Sequence, residues 1–312
     1  MTAYTHVPVL KEEILNYLNI KDAGIYVDCT AGRGGHLEGI LSIGAKNITV
    51  LGIDKDPANV EFLKDKFSEN KNVKIIYSDY KFLTDILKFH RIDKVDGILF
   101  DLGFSSIHID DASRGFSFSK DGPLDMRYDT QQSLKAEDVV NEYDERELGR
   151  IIRDYGEDRF FKSISRQIVK AREEKRITTT WELREIIHRS IPAKFKAGKS
   201  IDAATKTFQA IRIEVNSEFE SLKKVLPDAI NALSLGGRLC AITFHSIEDR
   251  IVKQAITKAI SPCTCPRGLV ECVCGNKPVL KWTVRSPITA SKAEVNINPR
   301  SRSAKLRVAE KI

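Results

Sequence analysis

Four aspartates follow apolar, β-branched runs in the first third of the chain: Asp28 in "IYVD", Asp54 in "ITVLGID", Asp79 just after "VKIIY", and Asp101 in "DGILFD". An ionised carboxylate only accepts hydrogen bonds. Asp28 therefore suits an ammonium or sulfonium, Asp54 the two hydroxyls of a ribose, and Asp79 the amino group of an adenine whose face the ring of Tyr80 could cover. A strand-ending Asp is also a common turn former or helix cap. Three in succession, after consecutive strands, make coincidence a weaker account.

Between the first two lies "CTAGRGGH", a turn with glycines at 32, 34 and 35. A phosphate-binding P-loop needs Lys and Ser or Thr after its last glycine, but Gly35 is followed by His36 and Leu37. A dinucleotide fingerprint needs a third glycine where Leu37 stands. S-adenosylmethionine (SAM) asks less of the loop. It brings a zwitterionic amino acid and a sulfonium, so an acid at Asp28 and backbone N–H groups near Gly34 answer its two charges.

The fourth run continues "DLGFSS", keeping the first and fourth positions of the Asp-Pro-Pro-aromatic pattern of enzymes that methylate exocyclic amines. Such a nitrogen is a poor nucleophile because its lone pair is delocalised into the ring. A hydrogen bond accepted from its N–H, by Asp101 or a backbone carbonyl, favours a more pyramidal nitrogen and, when charge-assisted, is worth about 1.5–3 kcal/mol; alignment of the reacting atoms can contribute roughly 7–11 kcal/mol more. Phe104 is placed either to stack on the base or to join the core. In "FHSIEDRIVK", His245 invites a catalytic reading, but Ser246 with Asp249 three residues on reads equally as a capping box. Cys263, Cys265, Cys272 and Cys274 form two C-x-C pairs, a set of thiolates that suits structural zinc rather than a disulfide in a reducing compartment. The basic run "NPRSRSAKLRV" near residue 300 either binds phosphates or guards an edge strand.

Strand-like runs at Ile25–Asp28, Ile48–Asp54, Val73–Tyr77 and Val95–Asp101 alternate with helical patterns, which predicts a doubly wound α/β domain around a parallel sheet. From Ser106 to Lys206 a Gly/Pro/Asp-rich loop is followed by helical periodicity alone. A long amphipathic helix, Thr207–Val225, then leads to the strand "RLCAITF". The expected organisation is a methyltransferase-type domain over residues 1–105 and 207–312, interrupted by a mostly helical domain over 106–206. The net charge of +7 is concentrated. Lys162–Arg212 holds 13 Lys and Arg against 5 Asp and Glu, either a footprint for a polyanion or a solvated helical face. The remaining cysteines, Cys29 and Cys240, lie in apolar runs as small hydrophobes. Apolar runs are too short for a membrane span, and "MTAYTHVPVL" does not resemble a secretory signal, so a cytoplasmic location and no membrane partner are expected.

The strings "HVPVLKEEIL", "YVDCTAGRGGH", "GIDKDP", "DGILFDLGFSSIHIDDASRGFSFSKDGPLDMRYD", "TFQAIRIEVN", "FHSIEDRIVK" and "NPRSRSAKLRV" occur in order from end to end. In this the chain resembles the MraW family of bacterial ribosomal RNA small-subunit methyltransferases. The resemblance implies a class I SAM-dependent methyltransferase domain, a Rossmann-like doubly wound sheet with an inserted helical substrate-recognition domain. It also implies methylation of N4 of a decoding-centre cytidine in 16S rRNA within the small ribosomal subunit. By the same resemblance the cofactor residues are Gly34, Gly35, His36, Asp54, Tyr80 (often Phe in the family), Asp101 and His108, where Gln is common. "IDAATKTFQ" departs from the family's His-Pro-Ala-Thr-Arg-Thr-Phe-Gln, Lys206 keeping the charge but not the fork of an Arg. Alternatives kept open are methylation of a protein or small molecule, a non-catalytic assembly factor, and either a monomer or a homodimer.

Overall fold

The computed structural model describes residues 8–195, 202–266 and 273–312. Seven strands form one sheet: β1 (Ile25–Asp28), β2 (Thr49–Asp54), β3 (Val73–Tyr77), β4 (Val95–Asp101), β5 (Leu233–Thr243), β6 (Leu280–Thr289) and β7 (Lys305–Lys311). Their order is β3-β2-β1-β4-β5-β7-β6. The first five pair in parallel, with Val27 opposite both Leu51 and Ile98, and β7 runs antiparallel between β5 and β6. The four alternating runs read from the sequence are the first four strands. β1 and β4 are almost wholly buried, as strands covered on both faces must be.

Strand order reverses at β1, which has β2 on one side and β4 on the other. At such a switch point the helices leave on opposite faces and a crevice opens beyond the carboxyl ends. Ile14 and Leu18 of helix Lys11–Leu18 and Leu37 and Ile40 of helix Gly35–Ser42 pack into one buried cluster with Tyr26, Leu99, Cys240 and Leu306. Each such buried Leu or Ile contributes about 1.5–3 kcal/mol. Cys29 and Cys240 are fully inside, and burial pushes the Cys240 thiol up to about 12, so both behave as apolar groups.

The chain divides into two compact units, Met1–Gly103 with Phe219–Ile312, and Phe104–Glu218. The second is helical with its own core: Leu148, Ile151 and Ile152, Ile164 and Ile168, and Leu183 and Ile187 come from helices Glu145–Asp154, Phe161–Glu174 and Thr180–Ser190. Two of these open on capping boxes, Asp144 with Glu147 and Thr179 with Glu182. Phe208, Ile211 and Val215 of helix Thr205–Val215 belong to the same core. The expected divisions at 105/106 and 206/207 thus stand beside 103/104 and 218/219 in the structure.

The single long helix expected over Thr207–Val225 is instead two, Thr205–Val215 and Glu218–Ala232. Asn216 ends the first: its side chain accepts from Tyr128 N at 2.8 Å and donates to Met126 O at 2.7 Å. Ser217 follows in the left-handed region, φ 48°. Short polar side chains that compete with the helix ladder produce such breaks, and an apolar periodicity continuing across the break conceals them.

Candidate functional site

The turn after β1 is held by its neighbours. Ala31 N donates to Ile53 O and Gly32 N to Asp54 Oδ2, 2.9 and 2.7 Å away, which fastens it to β2. Gly34 has φ 78°, and a Cβ there would stand 2.7 Å from Leu63 Cδ2, so both the backbone and the space demand glycine. Gly35 opens the following helix with its α-carbon pressed toward Pro8. No side chain caps this N-terminus, leaving first-turn amides to meet an anion.

Asp28 and Asp101 end β1 and β4, and Thr30 joins them: its hydroxyl accepts from Asp101 N at 2.6 Å and donates to Asp28 Oδ1 at 3.4 Å. Thr30 N donates to the same Asp28 oxygen at 3.0 Å. Thr30 was missed from the sequence, although a hydroxyl two residues beyond a strand-ending Asp is a recognisable turn signal. Asp28 Oδ2 and Asp101 Oδ1 are buried without a hydrogen-bond partner in the protein. His36 is buried too, its Nε2 lying 3.5 Å from Asp101 Oδ2 and its Nδ1 without a partner. Burial lifts the Asp28 carboxyl to about 6, tempered by the His36 charge and the Thr30 amide. Burial would lower the imidazole of His36, but Asp101 and Asp28 outweigh it and raise its proton affinity.

Unmatched buried acceptors cost about 1–3 kcal/mol each, and here they collect beside a helix N-terminus that has no side-chain cap. A ligand combining a cation, a carboxylate and polar hydrogens satisfies such a set. SAM has those groups, and the residues present fit it.

The other strand-end acids are more occupied. Asp54 accepts from Gly32 N, from Asp56 N at 2.8 Å and from Asn59 Nδ2 at 3.4 Å. Asp79 accepts from Lys81 N at 2.9 Å, capping a short 3-10 turn, and from Ser221 Oγ at 3.2 Å. Tyr80 is half-buried, edge-on to Phe100 with centroids 5.7 Å apart. Phe104 and His108 belong to the second unit. The Phe104 ring is 41% exposed and lies 4.9 Å from the guanidinium of Arg212, which is paired with Glu218 at 2.8 and 3.0 Å. His108 is buried on Phe116, centroids 4.9 Å apart, and its Nδ1 accepts from Ser105 N at 3.2 Å.

The capping box of "FHSIED" is present but one residue earlier than expected. His245 Nδ1 accepts from Glu248 N, and Glu248 Oε2 accepts from Phe244 N and His245 N at 3.0 and 3.3 Å. Asp249, the expected second partner, is 2.6 and 2.9 Å from the buried guanidinium of Arg307. The edge-guarding reading of the C-terminal basic run fails on the sheet order, because β7 is hydrogen-bonded on both sides and β6 is the edge. Cys263, Cys265 and Cys274 come together with all three sulfurs within 4.8 Å of one another, while Cys272 lies outside the described residues.

A parallel order β3-β2-β1-β4-β5 closed by an antiparallel β7, with acidic strand ends around a glycine turn, defines a class I SAM-dependent methyltransferase fold. The profile of the MraW methylase family matches residues 3–312, and the chain belongs to that family. It is 50% identical over 309 residues to "Ribosomal RNA small subunit methyltransferase H" of Caldicellulosiruptor saccharolyticus, covering 99% of this chain and 100% of that protein. The protein of the same name from Clostridium botulinum strain Kyoto is 48% identical, with 99% of each chain covered. A solved rRNA methylase from Streptococcus thermophilus aligns with 97% of this chain and 93% of its own at 10% identity and a TM-score of 0.42, too loose a likeness to add to the family match. Among the described residues no helix is long and apolar enough to cross a membrane.

Proposed function

We propose that this protein is an rRNA methyltransferase of the small ribosomal subunit and that its acceptor is N4 of a decoding-centre cytidine in 16S rRNA. The observation that carries the methyl-transfer reading is the Asp28–His36–Asp101 group, buried at Asp28 and His36, with its unmatched buried polar atoms at the carboxyl ends of β1 and β4. The names of relatives about half identical over 99% of the chain support ribosomal RNA as the substrate. The second unit adds a basic surface: Lys162, Arg166 and Lys170 recur every four residues on the exposed side of helix Phe161–Glu174, and Arg159 lies over Phe160 and Phe195 at 4.7 and 4.3 Å. Phosphates need such cations, and bases stack on such rings.

Bound SAM supplies an electrophilic methyl group on a sulfonium. In this reading Asp28 faces the cationic side of the methionine end, the amides from Gly34 to His36 meet its carboxylate, Asp54 receives ribose hydroxyls, and Asp79 with Tyr80 receives adenine. Asp101 accepts the N4–H of the cytidine, holds the nitrogen lone pair toward the methyl carbon, and takes the proton that the alkylated nitrogen releases. His36, 3.5 Å from the other Asp101 oxygen, balances that charge. Phe104 provides a ring for the base, and His108 is a cofactor residue by family resemblance.

Incubation with labelled SAM and small subunits lacking the modification, followed by nucleoside mass spectrometry, tests the assignment. Labelled N4-methylcytidine is expected. Label in ribosomal protein or a small molecule would replace the substrate class, and SAM binding without transfer would leave a non-catalytic assembly role.

A further inference from the structure

The loop between helix Ser246–Ile260 and β6 plays no part in the proposed methyl transfer. Its base is closed by Val279 N donating to Ala259 O at 3.0 Å. Among its described residues Val273 is 78% exposed and so adds no apolar packing to hold the loop. Cys263, Cys265 and Cys274 nevertheless converge, with their sulfurs all within 4.8 Å and Cys263 and Cys274 3.9 Å apart.

We infer that Cys263, Cys265 and Cys274 are ligands of one structural zinc ion. Zn–S bonds of about 2.3 Å in a tetrahedron place neighbouring sulfurs about 3.8 Å apart, close to the 3.9 Å between Cys263 and Cys274. The surroundings are those of a thiolate site. Val273 N donates to Cys265 Sγ at 3.3 Å, a backbone bond of the kind that orients a metal ligand and stabilises its charge. Asn276 Nδ2 donates to Pro262 O at 3.2 Å and to Thr264 Oγ1 at 3.4 Å, tying the strand of chain after Cys274 to the Cys263-x-Cys265 segment. Soft sulfur donors select zinc over the hard cations, which require oxygen ligands. Among the described residues the cluster consists of thiols alone, donors suited to an ion that cross-links the loop.

The test needs no activity measurement. Protein purified under reductant and exchanged into chelator-treated buffer is analysed for metals, and about one zinc per chain is expected. After stripping, addition of cobalt(II) is expected to give a thiolate-to-cobalt charge-transfer band with tetrahedral ligand-field bands that one equivalent of zinc abolishes. Cys263→Ser and Cys274→Ser are expected to retain less than about a tenth of the zinc, with circular dichroism and SAM affinity unchanged. A serine variant that failed to fold would lose zinc trivially, so the cobalt spectrum of the wild type decides independently. Wild type with neither zinc nor a cobalt–thiolate band, serine variants with full zinc, or a Cys263–Cys274 disulfide persisting under reductant would each overturn the assignment.

Discussion

In an Asp28→Asn variant the side-chain oxygen can still accept from Thr30 N, as Oδ1 does at 3.0 Å, while the charge at the partnerless Oδ2 is removed. Burial raises the wild-type carboxyl from 3.8 to about 6. At about 1.36 kcal/mol per pH unit, ionising Asp28 in the fold is therefore about 3 kcal/mol harder than in the unfolded chain. Because the folded value lies above the unfolded one, the favourable contribution of this group is present below about pH 4 and is lost as pH rises through about 6. At neutral pH the Asn variant should be more stable than wild type by up to about 3 kcal/mol, and the difference should vanish toward pH 4. Cofactor affinity should move the other way. Losing a charge-assisted contact worth about 1.5–3 kcal/mol raises the SAM dissociation constant roughly 10- to 150-fold. Wild-type affinity should also weaken up to about tenfold per unit as pH falls below about 6, with the variant nearly flat. Calorimetric titration and urea denaturation from about pH 4 to 8 read both quantities. Wild-type affinity in the variant at neutral pH, or identical pH profiles for the two proteins, would refute the placement of Asp28 opposite the cofactor's positive charge.

Three further outcomes are expected. Asp54→Ala should raise the SAM dissociation constant at least about tenfold, since it removes both the ribose acceptor and the anchor of Gly32 N at 2.7 Å; unchanged binding would withdraw the ribose assignment. Asp101→Asn should lower kcat on small subunits about 10- to 150-fold, from the loss of one charge-assisted bond, and change SAM affinity much less; a loss confined to SAM affinity would make Asp101 a cofactor residue alone. Gly34→Ala should destabilise the protein by about 1–3 kcal/mol in urea, because φ 78° is strained for alanine and the new methyl meets Leu63 Cδ2 at 2.7 Å; stability within 0.5 kcal/mol of wild type, roughly the scatter of neutral surface changes, would show that the turn relaxes freely.

The parallel half of the sheet was readable because its strands are buried on both faces and so appear as unbroken apolar runs. β6 was not, since "LKWTVRSPIT" mixes exposed and half-buried positions at the sheet edge and has a weak pattern. The break at Asn216 escaped because what ends that helix is a hydrogen bond to Tyr128 N, 88 residues away in sequence. The capping box slipped by one residue because a His can accept at Nδ1 as Ser does at its hydroxyl, and Asp249 had a distant competitor in Arg307. In the site, the residue types at the strand ends pointed to carboxylate chemistry. Their division of labour depends on contacts across strands, such as Thr30 bridging to Asp101, that no local spacing reveals.

That division separates the two accounts of a strand-ending aspartate. Asp79 caps a turn and meets Ser221, and Asp54 holds two backbone amides, so for both the turn-forming role is visible and any ligand contact would be additional. Asp28 also receives the amide of its own turn, through one oxygen, but its other oxygen is buried and unmatched, as is Oδ1 of Asp101 at the end of the neighbouring strand. A turn former gains nothing from burial that raises its carboxyl to about 6, because an exposed carboxylate would make the same hydrogen bond with less desolvation. Burial of that kind is destabilising in the protein alone and becomes favourable when a cation arrives. Among the strand-end acids, Asp28 therefore carries the strongest physical argument for ligand binding, and Asp79 the weakest.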